Sequence, residues 1–401
     1  MLDPARGMAG GWENFEAPLR ATGEGMRFWY GLLSLMIISG AAAQSTSLEE
    51  TFNEVEVAED GLGPRFNLDS CGGCHSHPRT GGSSPAVNPQ VAMATAFGAK
   101  NKVPPFITLS GPIREVRFKN DSQVHALYVI SGRSDIPGNA TPCRIEQEDF
   151  EKELPRNNLS FRIPTPLFGA GMVEEIPDAA IRDNLRANAD SKQKLRIGGK
   201  LPSIVRGNLG RFGWKAQHSN LVDFSGEAYN VEMGITNEVS KKEIEQNEDC
   251  QYAEIPNSPK EKGGLSDVEL FAQFMRELPP PNSNTKDDSG RRIFDDLGCN
   301  LCHTPELAGV QLFSDLLLHD MGNGLEDGIT QNSTGPREFR TAPLWGVGER
   351  LFLLHDGRTS DLSAAILAHD SDGSEAKAVI QNFRALTPSQ LSDLMKFLRS
   401  L

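Results

Sequence analysis

The stretch Cys71-Gly72-Gly73-Cys74-His75 recurs near the end of the chain as Cys299-Asn300-Leu301-Cys302-His303. Both follow the pattern Cys-x-x-Cys-His, which is the attachment signature of c-type haem. Residues three apart share one face of a helix, so both thiols of a copy can form thioethers with one porphyrin. The adjacent His75 or His303 can then bind the iron as proximal ligand. We therefore predict two covalently bound haems.

The alternative is a zinc site that takes its ligands from both Cys-x-x-Cys pairs. It would leave the histidine after each pair without a role. Aromatic residues support haem, because Phe66 precedes Cys71 at the spacing at which Phe294 precedes Cys299. A cytochrome c domain opens in this way, with a helix that carries an aromatic residue against the haem edge.

Composition limits the class of protein. The 401 residues have an ordinary globular composition and suffice for about two to three domains. The formal net charge of −14 argues against a nucleic-acid partner. An acidic surface could favour a basic small redox protein as electron donor or acceptor, although a solvating surface is the commoner explanation.

Residues 26–43 have the features of a secretory signal. Met26 and Arg27 are followed by an apolar run over 28–38 and by Ala41-Ala42-Ala43, a cleavage-site pattern. The run is too short for a stable membrane span. We therefore expect a periplasmic protein; an uncleaved anchor is the alternative. The polar residues before Met26 would be explained by a start codon assigned too early.

Export also bears on Cys143 and Cys250, which the haem motifs do not use. An oxidising compartment would favour a disulfide between them. The alternative is a pair of buried free thiols, and the sequence leaves both open.

Two capped amphipathic helices divide the chain. Ser266-x-x-Glu269 is a capping box before an apolar helical face, and Thr387-Pro388-Ser389-Gln390 opens the last helix in the same way. Pro279-Pro280-Pro281 ends the first of them. We predict an N-terminal extension and signal peptide at 1–43, and haem domains at 44–281 and 282–401.

The predicted fold class is mainly α, with two cytochrome c-like domains. The first is enlarged by a loop-rich insertion with some β structure, because residues 78–200 contain many turn formers and strand-like pieces such as Val124–Ile130. The glycines of Leu167–Gly171 predict close packing. A gap-free match of Pro202 with Pro343, which sets Trp214 on His355 and Leu221 on Leu362, suggests a duplicated unit.

Five stretches resemble the di-haem oxidoreductase family, sometimes labelled "thiol oxidoreductase". They are Phe66–Gln90, Gly210–Ala216, Ser314–Gly322, Arg340–Gly346 and His355–Arg358. The resemblance runs from about residue 50 to the C-terminus. It implies a relation to the bacterial di-haem cytochrome c peroxidases and to the MauG-type enzymes.

The resemblance implies two catalytic residues. The peroxidases have a tryptophan between their haems in a Phe-Trp-Asp-Gly-Arg stretch, which Phe212–Ala216 matches in part, and a distal glutamate in a Glu-Met-Gly stretch, which Glu232-Met233-Gly234 matches. Trp214 would relay electrons, and Glu232 would act as base and then acid on peroxide. The alternatives are that Trp214 is a core aromatic residue and that Glu232 is a surface carboxylate.

The family also implies iron ligands. The peroxidases carry a distal histidine at about the position of Val91. Valine cannot bind iron, so we expect the first haem to have an open position. His125 and His218 are the remaining candidates for its distal ligand. For the second haem, His369 stands where they carry a distal methionine. His319 and Met321 are its rivals, and we expect His355 to pack beside the haem and bind a propionate. Calcium is known in the peroxidases, but no convincing ligand set is visible here.

The leading hypothesis is a periplasmic oxidoreductase of peroxidase type. Electrons would enter at the His303 haem, pass Trp214 and reduce peroxide or a related oxidant at the His75 haem. The alternatives are MauG-like oxidation of a protein or organic substrate and a non-catalytic electron carrier. Dioxygen chemistry, as in the related rubber oxygenases, is also left open.

Covalent attachment can be tested directly. Protein denatured and extracted with acidic organic solvent should keep its haem, at about two per polypeptide, because thioether bonds survive unfolding. Haem content by pyridine haemochrome and intact mass are the measurements. A content of one or none would contradict the prediction.

Overall fold

The computed structural model describes residues 48–136, 143–202, 204–205, 207–260, 264–282 and 288–401. In chain order, its helices are residues 48–53 (α1), Cys71–Cys74 (α2), Gln90–Met93 (α3), Phe150–Glu153 (α4), Ala170–Glu174 (α5), Asp178–Arg186 (α6), Ala189–Leu195 (α7), Leu221–Met233 (α8), Asp267–Glu277 (α9), Asp288–Leu297 (α10), Leu362–Leu367 (α11), Lys377–Arg384 (α12) and Pro388–Ser400 (α13). Short 3-10 helices lie at Ala96–Gly98, Glu248–Cys250, Cys299–Leu301 and Val347–Glu349.

The strands are few and short. They are Arg65–Phe66 (β1), Glu115–Phe118 (β2), Tyr128–Val129 (β3), Leu159–Arg162 (β4), Ile204–Val205 (β5), Asn208–Leu209 (β6), Leu318–Asp320 (β7) and Glu338–Arg340 (β8). They pair antiparallel as β1–β3, β2–β4, β5–β6 and β7–β8. Helix is thus the main regular structure, which agrees with the predicted mainly α class.

The predicted insertion contains the expected β structure and more helix than expected. β3 falls within the strand-like Val124–Ile130, and β2 pairs with β4 from Glu115↔Arg162 to Phe118↔Leu159. Helices α5, α6 and α7 were not predicted. Their N-cap residues make no side-chain cap hydrogen bond, so the usual sequence signal for a helix start is absent.

The two helices that end the halves are confirmed. Ser266 Oγ accepts a hydrogen bond from the Glu269 amide, and the Glu269 carboxylate accepts one from the Ser266 amide. Thr387 and Gln390 form the same capping box at the start of α13. Both helices therefore begin where the sequence predicted.

The two halves share a motif that the gap-free match aligned wrongly. Pro166-Leu167-Phe168-Gly169 is the structural counterpart of Pro343-Leu344-Trp345-Gly346; Pro202 is not. Gly169 and Gly346 both adopt left-handed backbone, with φ of 69° and 67°. The Gly169 amide donates to Leu278 O, just after α9, and the Gly346 amide donates to Leu401 O, just after α13.

The predicted close packing around Leu167–Gly171 is confirmed. A Cβ atom added to Gly171 would clash with the Arg276 carbonyl of α9. One added to Gly348, its counterpart, would clash with the Arg399 carbonyl of α13. Glycine is needed at both positions because backbone packs directly on the terminal helix of each half.

The later part of the gap-free match is correct. Isolated β-bridges join Phe212 to His218 and Leu353 to Thr359, in the same register as the match. Helices α8 and α11 then start at the matched Leu221 and Leu362. In the N-terminal half, a segment with α6, α7, β5 and β6 lies between the two matched segments. A gap-free alignment therefore cannot cover both.

Phe66 does not lie on a helix, contrary to the expectation for the first haem motif. It lies in β1, and its ring packs against Tyr128 at 6.3 Å. Helix α1 supplies the aromatic residue instead: Phe52 makes an edge contact with the His75 ring at 6.2 Å. Phe294 does lie on a helix, α10.

Residues Ser45–Leu401 form one compact unit with two main hydrophobic clusters, one largely from residues 48–317 and one from residues 293–401. The boundary at residue 281 stays a prediction. Residues 1–43, where the signal peptide is predicted, lie outside the described part of the chain. No helix within the described ranges combines the length and hydropathy of a membrane span.

Cys143 and Cys250 form a disulfide that closes a loop of 107 residues. The chain-entropy model values such a loop at about 4–5 kcal/mol. Cys143→Ser should lower the free energy of unfolding by about that amount in urea titrations. Cys250→Ser and the double variant should match it, since each removes the same bond; additive losses would contradict the prediction.

Candidate functional site

The first haem motif opens into a cavity in the N-terminal half. The space between its lining atoms, solvent included, is about 1140 Å³. Cys71, Cys74 and His75 line one part of it, and helix α8 lines another with residues from Phe224 to Met233. Asn67, Gln90 and Glu115 with three arginines, Arg114, Arg117 and Arg162, also border it.

The second haem motif opens into an equivalent cavity of about 1460 Å³. Cys299, Cys302 and His303 line it together with α10 to α13, and its walls are mostly aliphatic and aromatic. An apolar wall with a thiol pair and an imidazole suits a porphyrin, whose faces are apolar and whose iron takes a nitrogen ligand.

The two proximal histidines are held alike. His75 Nδ1 lies 3.1 Å from Gly82 O, and His303 Nδ1 lies 3.1 Å from Phe313 O. A carbonyl can only accept, so Nδ1 carries the proton and Nε2 keeps its lone pair for a metal. Burial lowers the pKa of each imidazole to about 4, with the charge of His369 adding to the effect on His303. Both rings are therefore neutral, which is the form that binds iron.

Trp214 borders both cavities. Its indole Nε1–H donates to Ile163 O at 3.0 Å, and its carbonyl accepts from the Arg340 amide at 2.9 Å. Hydrogen bonds from two different segments thus fix a conjugated ring between the two sites. The position is the one that the resemblance implies for a relay, and that role stays a prediction.

Residues 265–401 match the di-haem oxidoreductase family. The family is described as "Di-haem oxidoreductase, putative peroxidase". The match confirms the resemblance over the second haem motif and its surroundings. No curated protein matches the chain.

One similar solved structure is Kuenenia stuttgartiensis hydrazine synthase pressurized with 20 bar xenon. The similarity has 19% sequence identity and a TM-score of 0.25, and covers 34% of this chain and 55% of that chain. At this TM-score the likeness supports no conclusion about fold or function.

His369 lines the second cavity opposite a haem motif of this family's pattern. Its Nδ1 donates to Ala365 O at 2.8 Å, so its Nε2 is also left free for a metal. Burial lowers the pKa of His369. A positive charge on His369 would also lower the pKa of His303, so the two rings are near each other. The geometry suits a pair of imidazole ligands, and the assignment stays a prediction.

His319 cannot take that role in this conformation. Its Nδ1 lies 2.7 Å from a Glu375 oxygen, and its Nε2 lies 3.0 Å from an Asp315 oxygen. Burial alone would lower its pKa, but Cys302 and Asp315 raise it well above the ordinary value. A protonated ring held by two carboxylates has no lone pair for iron. Met321 lines the cavity and remains the rival of His369.

Neither distal candidate for the first haem lies in the first cavity. His125 stacks on Phe118 at 3.6 Å and pairs with Asp121 at 2.9 Å. His218 is hydrogen-bonded to Glu227 and faces an outer cleft. Nearer carboxylates hold both imidazoles, so neither candidate lies at the first cavity, and the open position of the first haem stays a prediction. Val91 packs against the N-terminal core and does not border the cavity.

The two cavities are lined by different residues at one equivalent position of the repeat. In the register that pairs Leu221 with Leu362, His369 falls on Ala228, which lines the first cavity from α8. One turn later, Glu232 reaches the same cavity. The pKa of Glu232 is raised to about 8, mainly by burial. The negative charges of Glu115 and Glu227 add to this rise, and the positive charge of Arg117 acts against it. Glu232 is therefore no surface carboxylate.

His355 borders the second cavity, as expected, and stacks on Phe339 at 4.4 Å. Burial lowers its pKa to about 4. A neutral imidazole can donate one hydrogen bond to a propionate but cannot form an ion pair with it. The same cavity is bordered by the buried Arg340 and the half-buried Arg350, which are stronger carboxylate partners that sequence analysis missed.

The arginines provide a test of whether haem fits. Among the described residues, Arg114 Nε and Arg162 Nε are buried without a hydrogen-bond partner, and both side chains line the first cavity. Arg162 already pairs with Asp327 through another nitrogen, so the two unpartnered Nε–H groups mark places where the propionates of a haem would add hydrogen bonds. Arg162 ends β4 and Arg340 ends β8, but Arg162 lies four residues before Pro166 and Arg340 three residues before Pro343. The two arginines are therefore not equivalent in the repeat, and no repeated motif identifies them.

The described residues bring Cys302, Asp315 and His319 together with donor atoms within 4.8 Å. The thiol belongs to the haem motif and the imidazole is held by carboxylates, so this is not the oxygen cage that calcium prefers. Calcium stays an untested alternative.

The ligand of the second haem can be tested by spectroscopy. The ferric protein should show a low-spin signal typical of two imidazoles, and His369→Ala should convert about half of the total haem to high spin. His369→Met should raise the potential and add a sulfur-to-iron charge-transfer band, because a thioether favours ferrous iron. Met321→Leu is the control. A low-spin haem that survives His369→Ala but not Met321→Leu would reverse the assignment.

Proposed function

We propose that this protein is a periplasmic di-haem c-type oxidoreductase of peroxidase type, built from two cytochrome c-like domains. A small redox protein would deliver electrons to the haem bound by Cys299, Cys302 and His303. Peroxide or a related oxidant would be reduced at the haem bound by Cys71, Cys74 and His75. The bound haems supply the electrons and an iron that can take up the oxidant; the side chains around them supply the rest.

The difference between Ala228 and His369 carries this proposal. Both side chains line a cavity that contains a haem motif, at the same register of the repeat. A methyl group cannot bind iron, so the first cavity keeps space on the side of α8. An imidazole in the second cavity would close that site to ligands and suit it to electron transfer. An electron carrier without a substrate would not need the open space.

Glu232 fits the proton chemistry of peroxide cleavage. A proton must move from one peroxide oxygen to the leaving oxygen, and a carboxyl group beside the cavity can accept it and return it. A pKa of about 8 keeps this group able to exchange a proton near neutral pH.

Trp214 supports transfer between the sites. Its ring borders both cavities, and its hydrogen bonds to Ile163 and Arg340 hold it still. A fixed aromatic ring shortens the gap that an electron must cross. Trp214→Phe would keep the packing and is the natural variant for slower inter-haem transfer.

A second function has its own support. If His369 is the sixth ligand, the second haem has a lower potential than one with methionine and could share oxidising equivalents with the first. That arrangement favours MauG-like oxidation of a protein or organic substrate. Peroxide turnover with a reduced cytochrome as donor distinguishes the two, because only a peroxidase consumes the donor steadily.

Export is supported by two features. Residues 26–43 read as a signal peptide, and the Cys143–Cys250 disulfide is of a kind that persists in oxidising compartments. Haem attachment outside the cytoplasm agrees with both. Fractionation of cells that express the full chain, with a cytoplasmic enzyme as marker, is the direct measurement.

Glu232→Gln tests the proposed role. It should leave the absorption spectrum unchanged and slow the reaction with peroxide by about 10²–10⁴-fold, because the amide cannot accept the proton. In the unmodified protein, the rate should rise with pH up to about 8, where Glu232 loses its proton, and then level off. Stopped-flow spectroscopy measures both.

Glu175→Gln is the matched control, because Glu175 is exposed and borders neither haem cavity. It should react with peroxide as the unmodified protein does. An unchanged rate in Glu232→Gln would contradict the role given to Glu232.

A further inference from the structure

An outer cleft adjoins the first haem cavity. Its walls include His218, Val239, Gln331 and Ser333. Two residues, Gln217 and Glu227, line both the cleft and the cavity. These two side chains therefore form the partition between solvent and the place where Glu232 lies.

The partition is polar where a cavity wall is usually apolar. Gln217 Oε1 is buried and, among the described residues, has no hydrogen-bond partner. Glu227 is half-buried and hydrogen-bonded to His218 Nε2. An unpartnered acceptor beside a carboxylate–imidazole pair suits a place where hydrogen bonds are made and broken.

Charged groups on all sides set the state of Glu227. Burial alone would raise its pKa, but His218, Arg117 and Arg162 hold it below the ordinary value. Glu227 in turn is close enough to Glu232 for its negative charge to raise the pKa of that carboxyl. An ionised carboxylate thus stands next to a protonated one.

We propose that His218 and Glu227, with Gln217 beside them, form the proton path between the outer cleft and Glu232. The inference rests on the proposed function, since it assigns the route that serves Glu232. It also gives a role to His218, which is not a haem ligand.

The transfer moves protons only, and no electrons. Glu232, which is protonated at rest, first passes its proton across water in the cavity to the Glu227 carboxylate, and the ionised Glu232 then accepts the proton of a molecule that binds in the cavity. His218 releases a proton to water in the cleft and takes the proton of Glu227 in its place. The reverse sequence returns a proton from solvent, so each group ends as it began.

An ordinary surface ion pair is the competing explanation, and the chain offers such a pair for comparison. His125 lies 3.6 Å from Glu148 and 2.9 Å from Asp121, and these residues border neither haem cavity nor the outer cleft. If histidine–carboxylate pairs matter only for stability, changing Glu148 and changing Glu227 should have similar consequences.

Cyanide binding to the ferric holoprotein is a suitable probe, because hydrogen cyanide must lose a proton on binding. Its rate, followed by the shift of the haem absorption band, should fall at least tenfold in Glu227→Gln and in His218→Gln between pH 6 and 7. Glu148→Gln should bind cyanide at the unmodified rate. Two variants in the path guard against one that fails to fold.

The sign of the change separates a relay from electrostatics. A Glu227 that acts only through its charge would, when neutralised, lower the pKa of Glu232 and make cyanide binding faster at pH 6. Faster or unchanged binding in both path variants would overturn the proposal.

Carbon monoxide binding to the reduced protein needs no proton and should be unchanged in both path variants. If it slows with cyanide binding, the partition gates the ligand itself, and the proton path is wrong. If the unmodified protein binds no cyanide at all, the first haem is closed, and the proposed function fails together with the path.

Discussion

Asp327 is a fully buried carboxylate, and the arrangement around Trp214 depends on its two ion pairs. It lies 3.0 Å from Lys215 Nζ and 3.1 Å from an Arg162 nitrogen, and all three side chains are almost without solvent contact. A buried charge is costly unless it is paired, and removal of one partner commonly costs about 3–5 kcal/mol. Asp327 therefore requires the segment of Lys215 and the end of β4 to stay where they are.

These two segments border the haem cavities. Lys215 follows Trp214, so the ion pair anchors the loop that holds the indole between the two sites. Arg162 ends β4 and lines the first cavity. The next residue, Ile163, donates its amide to His355 O at 2.8 Å and accepts from the Trp214 indole. One buried carboxylate thus fixes a tryptophan, an arginine and the backbone that joins them.

The sequence predicted the parts of the site that are local in the chain. The Cys-x-x-Cys-His motifs and the two capping boxes depend on residues within a few positions of one another. Glu232 was selected by its Glu-Met-Gly match to the peroxidases, and the structure places it at the first cavity. The family match over residues 265–401 supports the C-terminal part of that analysis.

Which side chains contact each other could not be predicted from the sequence. His125 and His218 were candidate ligands, but Asp121 and Glu227 hold them. These carboxylates lie only four and nine residues away, yet nothing in a histidine's own position shows which carboxylate folds against it. Phe52 was missed because α1 ends well before Cys71, whereas α10 runs almost into Cys299. Arg114 and Arg162 emerged only because the fold buries donors that no described residue satisfies.

The length of one helix separates the chemistry of the two halves. Helix α8 begins after an asparagine cap and α11 after an aspartate cap, each at one of the two matched leucines. Helix α11 ends at Leu367, whereas α8 continues to Met233. The shorter helix lets the chain turn just after Ala368, where His369 enters the cavity with its Nδ1 tied to Ala365 O. The longer helix carries Ala228 past the same point and adds the turn that contains Glu232. An early end to the helix thus places an imidazole at one cavity, and its continuation places Ala228 and Glu232 at the other.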